Sequence, residues 1–278
     1  MSHGCFDGLL PFPDIMEGAS DRSAIRHESL NRTPTIDKIA IESPLKTSSN
    51  NENSTLYGTI MRTPGNDLEL MVGMLISSGD LLNGDDIPDI KIISNSAHVS
   101  IDSTQSKRTI DGTSACGLCG RDDIKIEPIS DYTSMPECNI DTKILLQISS
   151  MIGDEQDLFK QTGGTHAAAS WSYDGRMNSL MEDVGRHNAL DKLIGHHRLN
   201  GKWPLSNNIV SLSGRISYEM VEKAVMSNIP ILISIGSATT AAIDLASFHD
   251  MTLIVFARDQ RFTCMTGAHR IINADAVK

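Results

Sequence analysis

Residues 209–235 read IVSLSGRISYEMVEKAVMSNIPILISI, and this stretch decides the fold. An apolar strand at 209–212 is followed by a helix at about 216–228, and a second apolar strand follows at 231–235. Strands that are apolar throughout and are joined through a helix belong in a sheet that is covered on both faces. The stretch therefore predicts an α/β fold.

The alternation of helices and strands continues on both sides of this stretch. The predicted elements are helix 142–152, hairpin strands 167–173 and 176–181, helix 186–199, helix 239–248 and a last strand at 251–257. Asp174-Gly175 between the hairpin strands is a strong signal for a two-residue turn. We assign 141–278 to one α/β domain.

Upstream of residue 141 the pattern is richer in strands. Strands are predicted at 38–42 and 55–61, and a hairpin at 90–93 and 97–101. One helix lies between them, with Asn66 as its N-cap and Gly79 as its natural stop. We assign 35–140 to a smaller β-rich α+β domain, and 1–34, which show no sustained period, to a loose tail.

The composition limits the functions that the chain can have. Its 278 residues carry a formal net charge of −11 at pH 7, so there is no basic surplus with which to bind nucleic acid. The five cysteines are too few and scattered for a disulfide framework, which fits a reducing cytoplasm. The longest apolar run, 229–246, is interrupted by polar residues, so neither a membrane span nor a targeting signal is expected.

Two of the cysteines lie close together in the segment Cys116-Gly117-Leu118-Cys119-Gly120. The flanking residues are turn formers and charged residues without apolar periodicity, which predicts an exposed loop. Such a pair could exchange disulfides, bind a metal or carry sulfur. Zinc would need two further ligands, and the setting is not thioredoxin-like. Sulfur carriage fits the loop best, because a thiolate that accepts sulfur must visit both a donor and an acceptor.

Three turns in the α/β domain lead into a helix and combine glycine with polar or charged residues. They are Gly185-Arg186-His187, Ser213-Gly214-Arg215 and Gly236-Ser237, and Gly164-Thr165-His166 forms a further glycine-containing turn before the hairpin. Turns of this kind meet at one edge of a parallel sheet, where helix N-termini favour an anion. The pattern indicates either a nucleotide-type ligand or ordinary helix capping, with the histidines in cap or core positions.

The motifs at 113–120, 162–168, 182–192 and 213–220, taken together, closely resemble those of the formate dehydrogenase accessory sulfurtransferase family, the FdhD proteins. The resemblance runs in consistent order from about residue 39 to residue 271. That family passes sulfur from a cysteine desulfurase to the molybdenum cofactor of formate dehydrogenase, in its bis-molybdopterin guanine dinucleotide form. The resemblance therefore implies a cytoplasmic, homodimeric, persulfide-type sulfurtransferase with the desulfurase and formate dehydrogenase as partners.

The resemblance also implies site residues. Cys116 would bear the persulfide, with Cys119 as its partner. The family's cofactor-binding stretch falls on Phe262, Thr263, Cys264, Met265, Thr266 and Gly267. We expect the cofactor, or GDP as a partial mimic, to contact the turns as well, at Gly164, His166, Gly185, Arg186, His187, Ser213, Gly214, Arg215 and Ser237. The alternative is a cofactor-binding chaperone whose cysteine pair is a redox or structural element.

For the C-terminal domain the resemblance implies a cytidine-deaminase-like α/β/α fold. A zinc deaminase needs His-x-Glu at one helix start and Pro-Cys-x-x-Cys at the next. This chain has His187-Asn188-Ala189 and Ser213-Gly214-Arg215-Ile216 there, so neither deaminase chemistry nor bound zinc is expected. The chain also departs from the family at Ser237-Ala238-Thr239-Thr240, where Thr239 replaces a proline that would preset the start of a helix.

Overall fold

The computed structural model describes residues 18–50, 56–101, 129 and 135–273. The helices are α1 (Asp67–Ser78), α2 (Thr142–Met151), α3 (Asp157–Thr162), α4 (Arg186–Leu199), α5 (Tyr218–Met226) and α6 (Thr240–Phe248). The strands before α2 are β1 (Ala19–Glu28), β2 (Asn31–Ala40), β3 (Ser43–Ser48), β4 (Thr59–Arg62), β5 (Ile90–Ile93), β6 (Ser96–Val99) and β7 (Ile140–Asp141). The later strands are β8 (His166–Trp171), β9 (Met177–Asp183), β10 (Ile209–Leu212), β11 (Ile231–Ser234), β12 (Thr252–Arg258), β13 (Arg261–Thr266) and β14 (Ile271–Ile272).

The largest sheet among the described residues has six strands in the order β13-β12-β11-β10-β8-β9. Its centre, β10 to β12, is parallel, whereas β8 and β13 run antiparallel to their central neighbours and β9 runs antiparallel to β8. A four-stranded sheet, β4-β3-β6-β5, precedes it in the chain. The protein is therefore mixed α/β, as residues 209–235 predict.

Each face of the six-stranded sheet is covered by apolar side chains. On one face Val210, Leu232 and Leu253 belong to a cluster that takes in the apolar sides of α1, α4, α5 and α6. On the other face Ile209 and Ile231 pack with residues of α2. Alternate residues of each buried strand thus face opposite layers, which gives an α/β/α arrangement. The first cluster runs across residue 140, and the division of the chain into two domains stays a prediction.

Several boundaries follow directly from local chemistry. Helix α1 follows Asn66 and ends at Gly79, whose φ of 79° is a left-handed conformation that glycine adopts without strain. Helix α4 ends before Asn200-Gly201, and Asp141 caps α2 by accepting a hydrogen bond from the backbone N–H of Lys143 at 2.8 Å. The predicted bounds of these three helices are confirmed to within one residue, but Asn66 makes no capping hydrogen bond with its side chain.

The structure corrects the sequence predictions at several places. Residues 19–34, predicted as part of a loose tail, belong to the hairpin β1–β2. Strand β3 and helix α3 lie where no element is predicted, and strand 251–257 is not the last, because β13 follows it. Most side chains of β1 and β2 are exposed, so these strands lack the apolar alternation that would predict them. The turn before β13 uses Asp259 and Gln260, with φ values of 52° and 59°, where a glycine would have signalled it.

Candidate functional site

All six strands of the large sheet bring one end to the same edge. Strand β9 ends at Asp183 opposite His166, where β8 begins, and β10 and β11 end side by side at Leu212 and Ser234. The turns that follow occupy residues 183–187, 213–217 and 235–239, and we call them together the turn edge. The expectation that these glycine-containing turns share one edge is confirmed for the described residues.

Three of the predicted residues are in direct contact at the turn edge. A Cβ atom added to Gly214 would lie 3.2 Å from Nδ1 of His166 and 3.7 Å from Cδ of Arg186. A Cβ atom added to Gly236 would lie 3.2 Å from the backbone nitrogen of Arg215. The backbone of one turn therefore packs against side chains and backbone of the others, and larger side chains at either glycine would push them apart.

A buried carboxylate shapes the turn at Gly185. Asp183 Oδ1 accepts hydrogen bonds from the backbone N–H of Gly185 at 2.8 Å and from Asn188 Nδ2 at 2.9 Å. Its other oxygen lies 2.7 Å from Lys192 Nζ, and both side chains are buried. Because each buried charge is paired and also hydrogen-bonded, the ion pair can hold the Gly185-Arg186 turn in one conformation.

Thr63, in the segment after β4, holds the same turn from outside the sheet. Its N–H donates to Asp183 Oδ2 at 3.0 Å, its hydroxyl oxygen accepts from the N–H of Val184 at 3.1 Å, and its carbonyl accepts from Lys192 Nζ at 2.9 Å. Sequence reasoning missed Thr63, Asp183 and Lys192. The one available signal was an aspartate at the end of a strand and a lysine on the following helix, a pattern that surface residues share.

The starts of α4 and α5 come close together at His187. Its Nε2 lies 2.9 Å from Glu219 Oε2, and both side chains are largely buried. Close by, Ser217 precedes α5 as its N-cap residue, but its side chain caps no backbone N–H. The Oγ of Ser217, the Nε of Arg186 and the Nε2 of His187 are buried and have no hydrogen-bond partner among the described residues, so the His187–Glu219 contact is close but lacks hydrogen-bond geometry. Buried polar atoms of this kind are normally satisfied, so these three indicate a place for a ligand or an ordered water.

His166 contributes a neutral ring to the turn edge. Burial lowers its pKa, and the neighbouring Arg186 and His187 lower it further, whereas Asp183 opposes the shift. At neutral pH the imidazole can therefore both donate and accept a hydrogen bond, and the positive charge nearby comes from Arg186.

The other predicted residues of the turns have structural partners of their own. Ser213 Oγ accepts the N–H of Ala167 at 2.8 Å, which joins β8 to the turn after β10. The carbonyl of Ser237 accepts the N–H of Ile216 at 2.9 Å, while the Arg215 side chain is exposed. Thr239, in place of the proline expected from the family, caps α6 by accepting the N–H of Ala242 at 3.3 Å. The side-chain cap of Thr239 thus takes the place of the fixed backbone conformation that a proline would supply at the start of α6.

Two parts of the predicted set extend beyond the three turns. A Cβ on Gly164 would meet Ala40 of β2 at 3.2 Å, so this glycine packs against the hairpin β1–β2. Residues 262–267 run the length of β13, and a Cβ on Gly267 would lie 2.6 Å from Thr252 Oγ1 at the amino end of β12. The beginning of this stretch, at Phe262, therefore lies at the turn edge and its end at the opposite edge of the sheet. Burial raises the pKa of the Cys264 thiol, midway between.

Cys116 and Cys119 lie outside the described residues, and their proposed roles stay predictions. One group of potential metal ligands occurs in the described parts of the chain, at Glu137, Asp250 and His269. Asp250 Oδ2 already accepts a hydrogen bond from the buried Arg270 at 3.0 Å, and this guanidinium disfavours a cation beside it. In the same ranges no helix is both long and apolar enough to cross a membrane.

The fold and the turn edge define an α/β/α protein whose strand ends and helix N-termini converge on a place suited to an anionic ligand. The model of the FdhD/NarQ family matches residues 40–272, and the chain belongs to this family.

Similar proteins agree with this assignment. The sulfur carrier protein FdhD of Sulfurisphaera tokodaii is 38% identical over 85% of this chain and 92% of its own length. The sulfur carrier protein FdhD of Corynebacterium efficiens is 34% identical over 83% of this chain and 90% of its own. A crystal structure described as a formate dehydrogenase accessory protein from Desulfotalea psychrophila superposes with a TM-score of 0.73 at 22% identity, over 91% of this chain and 99% of that one. At this identity the structural match shows the shared fold.

Proposed function

We propose that the protein is a sulfur carrier for the maturation of formate dehydrogenase. In this proposal the thiolate of Cys116 accepts sulfur from a cysteine desulfurase as a persulfide and passes it to the bis-molybdopterin guanine dinucleotide cofactor, with Cys119 as its partner. Membership of the FdhD/NarQ family and the relatives named sulfur carrier proteins support it. A cytoplasmic location, a homodimer and a cytidine-deaminase-like ancestry of the C-terminal part belong to the same proposal.

In this proposal the cofactor is the substrate, and its phosphates are the groups that the turn edge suits. Helices α4, α5 and α6 begin there, and each N-terminus favours an anion by about 0.3–1 kcal/mol. Arg186 and Arg215 add planar guanidinium groups, which match phosphate oxygens. Three buried side-chain atoms at the turn edge, Arg186 Nε, His187 Nε2 and Ser217 Oγ, have no hydrogen-bond partner among the described residues. This is the observation that carries the nucleotide part of the proposal, because the guanidinium N–H and the hydroxyl can each donate to a phosphate oxygen.

The carrier step can be tested by mass. Incubation with a cysteine desulfurase and cysteine should add one sulfur to the peptide that contains Cys116, and Cys116→Ala should abolish this addition. Cys138→Ala is the matched control, because Cys138 is a free, half-buried cysteine in another segment. If Cys116→Ala still matures formate dehydrogenase at the wild-type level, sulfur transfer through Cys116 is wrong and the chaperone alternative stands.

The binding step can be tested with GDP. Arg215→Ala should weaken GDP binding by about 1.5–3 kcal/mol, the usual contribution of a hydrogen bond to a charged group. Arg176→Ala is the control, because Arg176 is also exposed but lies at the hairpin turn on the other edge of the sheet. Equal affinities for the two variants in titration calorimetry would remove the turn edge as the nucleotide site. Persulfide loading of Cys116 should be unchanged in both variants.

A further inference from the structure

Phe256 occupies a backbone position that normally belongs to glycine. It lies near the carboxyl end of β12 with a φ of 54°, in the left-handed region. The register of β12 against β13 pairs Val255 with Thr263 and Arg258 with Arg261. Phe256 and Ala257 therefore lie opposite the single residue Phe262, which is a β-bulge. A bulge with a left-handed first residue usually has glycine there, and a bulky side chain in that conformation is strained by roughly 1–3 kcal/mol.

The strain is not required by the hairpin turn. That turn is made by Asp259 and Gln260, which are both left-handed, and aspartate tolerates this conformation. The strain at Phe256 is also not offset by burial, because the side chain is 43% exposed, whereas the next residue, Ala257, is fully buried. The bulge therefore keeps a small side chain in the core and leaves an aromatic ring in contact with solvent.

The place where the ring is exposed is the turn edge. The N–H of Phe256 donates to the carbonyl of Gly236 at 2.9 Å, so the phenylalanine lies directly beside the turn that leads into α6. The neighbouring turn is in contact with this one through Gly236 and Arg215. An exposed aromatic residue therefore follows, on the adjacent strand, the turns that lead into the helix N-termini.

We propose that Phe256 is the platform on which the purine base of the bound nucleotide stacks. The inference rests on the proposed function, because it concerns the nucleotide part of the same cofactor, and it adds the residue that recognises the base. Stacking on an aromatic face tolerates different bases and gains more from the larger purine ring system than from a pyrimidine. Phe256 thus selects for a purine, while the phosphates are held by the turns.

The experiment compares GDP, UDP and inorganic pyrophosphate as ligands of the full chain in titration calorimetry. Phe256→Asn should weaken GDP binding by roughly 5- to 150-fold, the range expected for the loss of one base–aromatic stack, and should weaken UDP binding less. Binding of pyrophosphate should not change. Asparagine is chosen because it tolerates the left-handed backbone, so the bulge is kept. Phe256→Trp should retain GDP binding, and Phe248→Ala, at a 57% exposed phenylalanine at the end of α6, should leave every ligand unaffected.

The outcomes separate this inference from the proposed function. If wild-type protein binds pyrophosphate and GDP, but Phe256→Asn binds both as tightly as the wild type, the stacking role is wrong and the nucleotide site stands. Equal losses for GDP and pyrophosphate would show that Phe256 only shapes the turn, which also overturns the inference. If the wild type binds none of the three ligands, the nucleotide site and the stacking role both fail.

Discussion

Gly73 of α1 and Gly195 of α4 lie at a point where the two helices touch backbone to backbone. A Cβ atom on Gly195 would lie 1.9 Å from the carbonyl oxygen of Glu69 and 2.8 Å from the backbone nitrogen of Gly73. A Cβ atom on Gly73 would lie 1.8 Å from the carbonyl oxygen of Asp191. Neither overlap can be relieved by a side-chain rotation, so the helices approach this closely only because both positions are glycine.

Gly73→Ala and Gly195→Ala should therefore each destabilise the protein. The helices must move apart to admit the methyl group, which should lower the free energy of unfolding by about 3 kcal/mol or more, at or above the usual range for overpacking. Urea denaturation measures the change. Gly153→Ala is the control, because a Cβ there would meet no atom within 4 Å. Equal urea midpoints for the control and either helix variant would show that α1 and α4 are not in backbone contact at these glycines.

Removal of the buried carboxylate at the turn edge should be more costly than removal of an exposed one. Asp183→Asn leaves the ammonium group of Lys192 buried without its counter-charge, for which about 3–5 kcal/mol of lost stability is typical. Asp37→Asn breaks the exposed pair with Arg26 and should change stability by ~0–1 kcal/mol. Chemical denaturation of both variants at neutral pH provides the comparison, and similar losses would contradict it.

Stability should fall in mild acid because of His197. Burial, followed by the neighbouring His196 and Lys202, lowers its pKa from 6.5 to about 4, and its Nε2 lies 2.8 Å from Ser170 Oγ. Between these two pH values the unfolded chain binds a proton that the folded protein does not, so the free energy of unfolding decreases as the pH falls from 6.5 towards 4. His197→Gln should make this dependence shallower. An identical pH dependence of urea denaturation in the variant and the wild type would assign the acid sensitivity to other groups.

The contribution of the Thr239 cap to stability should be measurable independently of nucleotide binding. Thr239→Ala removes the oxygen that accepts the N–H of Ala242 and should destabilise the protein by about 1 kcal/mol. Thr239→Ser keeps the oxygen and should retain most of the stability. Thr240→Ala, at an exposed position in the first turn, is the matched control. A melting temperature for Thr239→Ala equal to that of the control would show that threonine does not act as the cap.

How much the sequence could predict depended on how local each signal was. The elements around 209–235 were predictable because each has its own apolar pattern and its own stop signal, and the three turns follow from their order. Strand β13 alternates half-buried and exposed side chains after a turn without glycine, and hairpin β1–β2 is mostly exposed, so neither carries a strong apolar period. Patterns of this kind are typical of loops as well.

The turn edge was predictable only in part, for the same reason. Gly185, Gly214 and Arg215 could be found because glycine and arginine at a helix start are unusual next to each other. The left-handed backbone of Phe256 could not be predicted from the sequence, because phenylalanine has no preference for that conformation. The long-range partners of Asp183 could not be found either, since the hydrogen bond from Thr63 joins residues 120 positions apart in the chain.

Thr63 has a consequence for how sequence variation at this position should be interpreted. Of its three contacts, with Asp183, Val184 and Lys192, those with Asp183 and Lys192 are made by its backbone N–H and carbonyl. Every residue except proline supplies both groups, so most substitutions would leave these two contacts in place. A change in the length of the segment between β4 and α1 would instead carry both groups out of reach of Asp183 and Lys192. Because the Thr63 side chain is buried, position 63 should tolerate small replacements, and it should tolerate almost no insertion or deletion beside it.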